Sequence, residues 1–406
     1  MKIPDLSGVT EKAESSEKAK AVDLGKIRKK KKRSRHLVKL IIVLILLIIA
    51  AFVWFNADTI FEPLRGIASR IDNKTSYDVG FPIDLPGSSS YSLMTSGDCF
   101  TMLTDTYLYA YDVSGEQLYA LKHGYSKPHQ ATSSRRILIY DKSGYSFSIY
   151  NRASVICSKT TEDKIVYATI GSDGLAAVLT ESSRYSDVLQ VYDDSGNWKY
   201  TRKFADENVM QVAFPGDGEH IIVTTISSKN GGLLANIYRL SIKETDGYIW
   251  KYTIIGGSLP CALYADRNRV TVLCDNCVTS LGYDNGELLD NFAYTGILKH
   301  FSLTPERTLV LYNDISANRN VLVALEKDSA PYAQVNVSAG ASCVYSDAEG
   351  IYILDGARIR VFDTDLIAEK QVNTSDDDYS DFIKLGNSIV AIGYRHLNEF
   401  DVNKAE

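Results

Sequence analysis

Gly171-Ser172-Asp173-Gly174 and, later in the same unit, Tyr192-Asp193-Asp194-Ser195-Gly196 are the two signatures whose recurrence decides the fold. The first is a polar turn that follows one strand-like run and precedes a strongly apolar one. It recurs as Ser96-Gly97-Asp98, Ser133-Ser134-Arg135, Pro215-Gly216-Asp217-Gly218, Ala265-Asp266-Arg267-Asn268, Thr304-Pro305-Glu306-Arg307, Ser346-Asp347-Ala348-Glu349-Gly350 and Leu385-Gly386-Asn387. One position from each (97, 134, 172, 216, 266, 305, 347, 386) gives steps of 37, 38, 44, 50, 39, 42 and 39 residues. The second signature is an aromatic, then Asp, then a Gly or polar turn. It returns as Tyr111-Asp112-Val113-Ser114-Gly115, Tyr283-Asp284-Asn285-Gly286 and Phe362-Asp363-Thr364-Asp365.

The residue types have a mechanical reason. The aromatic closes a strand on a half-buried face, Asp starts a turn by accepting from the backbone two residues on, and Gly takes the positive φ. From about Tyr77 onward the chain reads as short runs rich in Val, Ile, Tyr and Thr between such turns, with no long helical periodicity. A period near 40 residues with four strands per unit predicts an all-β chain folded as a β-propeller. Eight turn positions favour eight blades, with seven as the alternative count. The last unit, 379–402, has room for three strands only, and the segment 77–85 supplies an orphan strand. A ring closes when one blade takes strands from both chain ends. Asp78–Asp84 is therefore expected to pair with the final blade.

Upstream of the repeats, no charged residue occurs from Leu40 to Phe55. Counted from Leu37, with Lys39 reaching outward, the apolar run spans about 28 Å as a helix, close to the thickness of a bilayer core. Trp54 and Phe55 stand where an interfacial aromatic belt would lie. Residues 1–39 hold 13 Lys/Arg against 5 Asp/Glu, while the whole chain of 406 residues has a formal net charge of −6. Nine of those basic residues lie between Lys26 and Lys39, against only Arg65 and Arg70 in the 15 residues after Phe55. The expected organisation is a disordered basic tail (1–36), a transmembrane helix (37–55), a juxtamembrane helix or linker (56–76) and a propeller (77–406). The charge bias places the N-terminus in the cytoplasm and the propeller outside. A cleaved signal peptide is the rival reading of the apolar run, but small-x-small cleavage patterns are poor there. The run Lys29-Lys30-Lys31-Lys32-Arg33 reads as topogenic and lipid-contacting rather than nucleic-acid-binding, and the acidic remainder repels nucleic acid.

The aromatic-Asp-x-x-Gly units resemble the repeats of quinoprotein-type and tryptophan-aspartate-type propellers. In Gly115-Glu116-Gln117-Leu118-Tyr119 and Gly196-Asn197-Trp198-Lys199-Tyr200 an aromatic stands four residues after Gly, where quinoprotein repeats carry Trp; Gly286 leads instead to Asp290. With Gly80-Phe81-Pro82-Ile83-Asp84-Leu85-Pro86-Gly87 entering the first blade, residues 26 to 402 resemble an uncharacterised family of single-pass membrane-anchored propeller proteins from clostridial Gram-positive bacteria. The resemblance implies a fold and a plasma-membrane placement, but no activity.

Candidate chemistry is sparse. Cys274-Asp275-Asn276-Cys277 is the one cysteine pair at metal or redox spacing; a structural zinc site would need a second pair. The expectation is a hairpin disulfide or two buried thiols, with Cys99, Cys157, Cys261 and Cys343 as small core residues. The histidines, His36, His123, His129, His220, His300 and His396, show no paired spacing. Asp193, Asp194 and Asn197, and Asp376 and Asp378 within the acidic run to Asp381, are weak candidates for calcium; neither group has a full oxygen-ligand loop with a closing Glu. Solvated turns explain them more simply. No catalytic residue and no cofactor is nominated. The expected function is a tethered binding or scaffold propeller of the cell envelope, taking a protein or envelope-polymer ligand on one face of the ring. The alternative is a quinoprotein-like oxidoreductase with a central-channel site.

Overall fold

A computed structural model describes residues 80–405 apart from 153, 245–246 and 375–378. Among the described residues thirty-two strands form eight four-stranded antiparallel sheets. Blade 1 covers 92–122, blade 2 128–160, blade 3 165–204, blade 4 208–255, blade 5 260–293, blade 6 297–337 and blade 7 341–373. Blade 8 combines 381–401 with Ile83–Asp84. In blades 1 to 7 the strands pair in chain order. The first strand of each blade touches the first strand of the next around the whole circuit, and Ser92–Ser96 meets Asp381–Leu385 to complete it. The count is eight.

Why the second strand of each unit reads as a continuous apolar run now has a cause. Cys99–Leu103, Ala176–Thr180 and Arg269–Cys274 are buried at every position, because a neighbouring blade covers each face of the sheet. Outer strands such as Leu288–Ala293 are mostly exposed. Each of the eight junctions between consecutive blades has its own apolar core. Burying one Leu, Ile or Phe in such a core contributes about 1.5–3 kcal/mol.

Closure follows the expected route over a shorter strand. Ile83 pairs with Leu397 and Asp84 with His396, and Leu85 N donates to Arg395 O at 2.8 Å. Residues 78–79 lie outside the described residues. Gly80 has φ +97°, and Pro82 has no N–H to donate, so regular pairing starts only at Ile83. Phe81 and Ile83 join the core between blades 8 and 1, where Phe81 stacks on Phe100 at 6.2 Å and Phe100 on Tyr111 at 5.1 Å.

The longest repeat step has a local origin. In blade 4 the strands His220–Lys229 and Gly232–Ser241 have ten residues each, joined by Asn230 (φ +53°) and Gly231 (φ +80°). Two consecutive positive φ values are what a tight two-residue hairpin needs. The expected tail (1–36), transmembrane helix (37–55) and juxtamembrane helix (56–76) lie outside the described residues. Among the described residues no helix is long and apolar enough to cross a membrane.

Candidate functional site

The first-strand turns that set the repeat also form the rim of a cavity. At one end of the inner ring, blades 1 to 6 line a space of about 780 Å³. Gly97, Ser133, Ser134, Gly171, Ser172, Pro215, Asp266 and Pro305 supply its turns, and Thr95, Thr132, Tyr167, Thr169, Gln211 and Tyr264 its strand walls. The volume falls within the range of small-molecule and peptide-sized pockets.

Its chemistry is that of hydroxyls, amides, backbone groups and tyrosine rings. Asp266 is the single ionisable carboxylate among the lining residues, which include no Arg, Lys or His; the neighbouring Arg267 and Arg269 guanidiniums are turned to the Gly216, Thr304 and Pro305 carbonyls. Its oxygens are already engaged: Oδ1 accepts from Asn268 N at 2.7 Å and Arg269 N at 2.9 Å, and Oδ2 from Tyr264 OH at 3.1 Å. Burial, with the Asp266 carboxylate beside it, pushes the Tyr264 phenol up to about 12, so it is a neutral donor at neutral pH. Gln211 Nε2 is held by Cys261 O at 3.1 Å. The set can hold an uncharged polar chain. It places no nucleophile beside a base, and no cations that would match an anionic redox cofactor.

The residues singled out from sequence do not converge here. Asp193 Oδ1 accepts from Ser195 N at 3.1 Å and Asn197 N at 2.8 Å, while its Oδ2 meets Asn197 Nδ2 and Lys199 Nζ, both at 3.1 Å. Asp194 reaches Arg136 Nη2 at 3.4 Å. These oxygens serve the turn and two cations. Asp376 and Asp378 lie outside the described residues. Among the described residues no group of three or more His, Cys, Asp or Glu side chains is arranged to hold a metal ion. Cys274 and Cys277 close the hairpin between the second and third strands of blade 5 as free, buried thiols. Cys157 and Cys261 are only half-buried, unlike the core positions expected for them. The described histidines are scattered over separate blades, and burial lowers the pKa of His123 and His300.

One constellation escaped the sequence reading. Asp217, in the first turn of blade 4, accepts from the Tyr283 phenol of blade 5 and sits 2.6 Å from His220 Nδ1. The Arg239 guanidinium lies 3.8 Å over the Tyr283 ring, and Trp250 Nε1 donates to Tyr283 O at 2.8 Å. Asp217 and Tyr283 each belong to a recognised repeat turn, but only the ring brings one turn against the other. Tyr283 is buried, and the group locks blade 4 to blade 5.

Comparison with known proteins agrees with this reading of the fold. The model of a family of unknown function, DUF5711, matches residues 70–398. No curated protein matches by sequence. Among solved structures, the chain is similar to Sqt1 of Saccharomyces cerevisiae (TM-score 0.55, 10% identity, covering 79% of this chain and 99% of that one). It is also similar to BamB from Moraxella catarrhalis (0.54, 10%, 79% and 96%) and to the C-terminal WD40 domain of Sif2 (0.55, 12%, 80% and 97%). At such identities the likeness shows the propeller fold alone.

Proposed function

The chain belongs to the DUF5711 family of unknown function, and from the geometry of its ring we propose that it is a binding propeller, tethered to the bacterial plasma membrane, that takes a protein segment or envelope polymer at the channel mouth. The observation that carries this is the hydroxyl- and tyrosine-lined cavity with its one carboxylate already engaged by Tyr264 and the turn. Such a lining recognises by hydrogen bonding and stacking, and it lacks the paired acid, base or nucleophile of a reaction centre. Support for the tether comes from the uncharged run from Leu40 to Phe55 and its basic flank. The quinoprotein-like oxidoreductase is the weaker reading, since the neighbouring guanidiniums, Arg267 and Arg269, are already engaged by the Gly216, Thr304 and Pro305 carbonyls.

A photocrosslinking side chain at Ser172 in the full chain, in its native membrane, should give adducts that the same group at Lys159 on an outer strand does not. Full-chain protein should also co-sediment with purified cell-wall polymer if the ligand is the polymer, and Ser172→Trp should abolish this. If neither crosslinking nor sedimentation depends on the rim, the channel mouth is not the binding site. Orientation is tested separately: a tag after Lys404 should be reachable from outside intact cells, and a tag reachable only after lysis overturns the placement.

A further inference from the structure

A second cavity, of about 410 Å³, lies between the outer strand of blade 4 and the third and fourth strands of blade 5. Ile255 (81% exposed) and Leu288 (48% exposed) form apolar lips, and Ser258, Asn276, Thr279 and Cys277 line the interior. Cys274 stands one step past the Leu273↔Val278 pair, directly opposite Cys277 across the hairpin. Opposed residues of an antiparallel pair have Cβ atoms about 4.5–5.5 Å apart on one face, and both thiols belong to the same core between blades 4 and 5. That separation needs little backbone movement for a disulfide.

The two thiols are not equivalent. Cys277 lines the cavity, whereas Cys274 lies fully buried behind it. Cys277 Sγ lies 3.7 Å from the Ser258 hydroxyl and 4.0 Å from that of Thr279. The hydrogen bond from Cys274, helped by these hydroxyls, holds Cys277 below the ordinary thiol range, even though burial opposes it. The same bond, together with burial, holds Cys274 above that range. The turn itself is braced. Leu259 N donates to Asp275 Oδ1 at 2.8 Å, Asp275 N to Leu259 O at 3.0 Å, and Tyr294 OH to Cys274 O at 2.6 Å.

We propose that Cys277 and Cys274 form a redox dithiol that exchanges with a disulfide entering the groove between blades 4 and 5, with Cys277 attacking and Cys274 resolving. In the first step the Cys277 thiolate attacks one sulfur of R–S–S–R′, forming a mixed disulfide and expelling R′S⁻, which takes up a proton. With Cys277 no longer a thiolate, the larger of the two causes that keep Cys274 protonated is gone and burial remains. Cys274 then attacks Cys277 Sγ as its proton passes to the departing RS⁻, which leaves as RSH. The balance is one dithiol and one disulfide giving one intramolecular disulfide and two thiols. The substrate class is a small disulfide or a disulfide-bearing peptide segment slim enough for the groove.

The test uses reduced full-chain protein, oxidised glutathione at neutral pH, an alkylating quench and peptide mapping by mass spectrometry. Wild type should acquire the Cys274–Cys277 disulfide. Cys274→Ser should accumulate glutathione on Cys277, and Cys277→Ser should leave Cys274 unmodified. Alkylation of Cys277, which lines the cavity, should outpace that of the similarly buried Cys343, whose thiol burial pushes up, by about tenfold or more at pH 7. Failure of wild type to form the bond, or equal modification of Cys274 in Cys277→Ser, overturns the proposal. Should Cys274→Ser fail to fold, the wild-type pH profile decides. Disulfide formation rising through a midpoint below the ordinary thiol range supports the assignment, and a rise only within that range overturns it.

Discussion

Arg269 of blade 5 donates through Nη2 to the Thr304 carbonyl of blade 6 at 2.9 Å, and the same nitrogen reaches Pro305 O at 3.2 Å. Arg307 repeats the device one blade on, reaching Asp347 O at 2.8 Å. A basic residue at the end of a first turn thereby ties the rim of its own blade to the next. Arg269 is buried, so truncation strands the buried Thr304 carbonyl. Arg269→Met is expected to cost about 2–4 kcal/mol, read as a shift in the denaturant midpoint. The exposed neighbour Arg267, which also meets a carbonyl, gives the contrast: Arg267→Met should stay within about 0.5 kcal/mol.

Asp217 links two blades through its carboxylate. Burial alone would raise its pKa, but the Tyr283 phenol, the backbone N–H groups of Glu219 and His220 and the His220 ring outweigh it and bring it to about 2. A carboxylate depressed below its unfolded value of 3.8 contributes stability that is complete above that value and lost as pH falls towards 2. Asp217→Asn should therefore be less stable than wild type at pH 7, by about 1.5–3 kcal/mol. The difference should shrink as pH falls from about 4 to about 2. Equilibrium unfolding at a series of pH values checks this, and a difference independent of pH would remove the charge from the explanation.

Gly115 has φ +81°, and a Cβ there would stand 3.0 Å from the Phe81 ring. The glycine of the second signature thus permits both the turn and the passage of the closing segment over it. Gly115→Ala should destabilise by about 1–2 kcal/mol through the backbone alone, and should loosen the segment 80–85 as well. Faster amide exchange at Ile83 and Leu85 in the variant, with exchange in blade 4 unchanged, is the expected pattern. Uniform loss of protection across the ring would show general destabilisation instead.

The periodicity was legible because each turn needs its own chemistry. Asp112, Asp193 and Asp363 accept from backbone N–H groups within their turns, and Gly115 and Gly196 hold positive φ. In two units a residue other than glycine stands at the left-handed position of this turn. In blade 7 Leu366 (φ +57°) and in blade 6 Ser329 (φ +78°) occupy the equivalent left-handed position. Tertiary packing makes a non-glycine residue acceptable there, and no local rule announces it.

The channel mouth was only half readable. Ser134, Ser172 and Asp266 read as turns in the sequence, yet their convergence on one cavity depends on the ring. The same holds for Asp217 and Tyr283, which lie 66 residues apart. For Cys274 and Cys277, spacing revealed the pair, whereas the groove beside Cys277 takes its lips, Ile255 and Leu288, from adjoining blades.

What the amino-acid sequence by itself determined was the repeat, the three-stranded last unit and hence closure by a strand from within Asp78–Asp84, because turn chemistry and strand patterning act over a few neighbouring residues. What only the tertiary structure decided was which turns face one another across the channel and across each blade junction. Those contacts join residues dozens of positions apart, and they arise from the curvature of eight packed sheets rather than from any local preference.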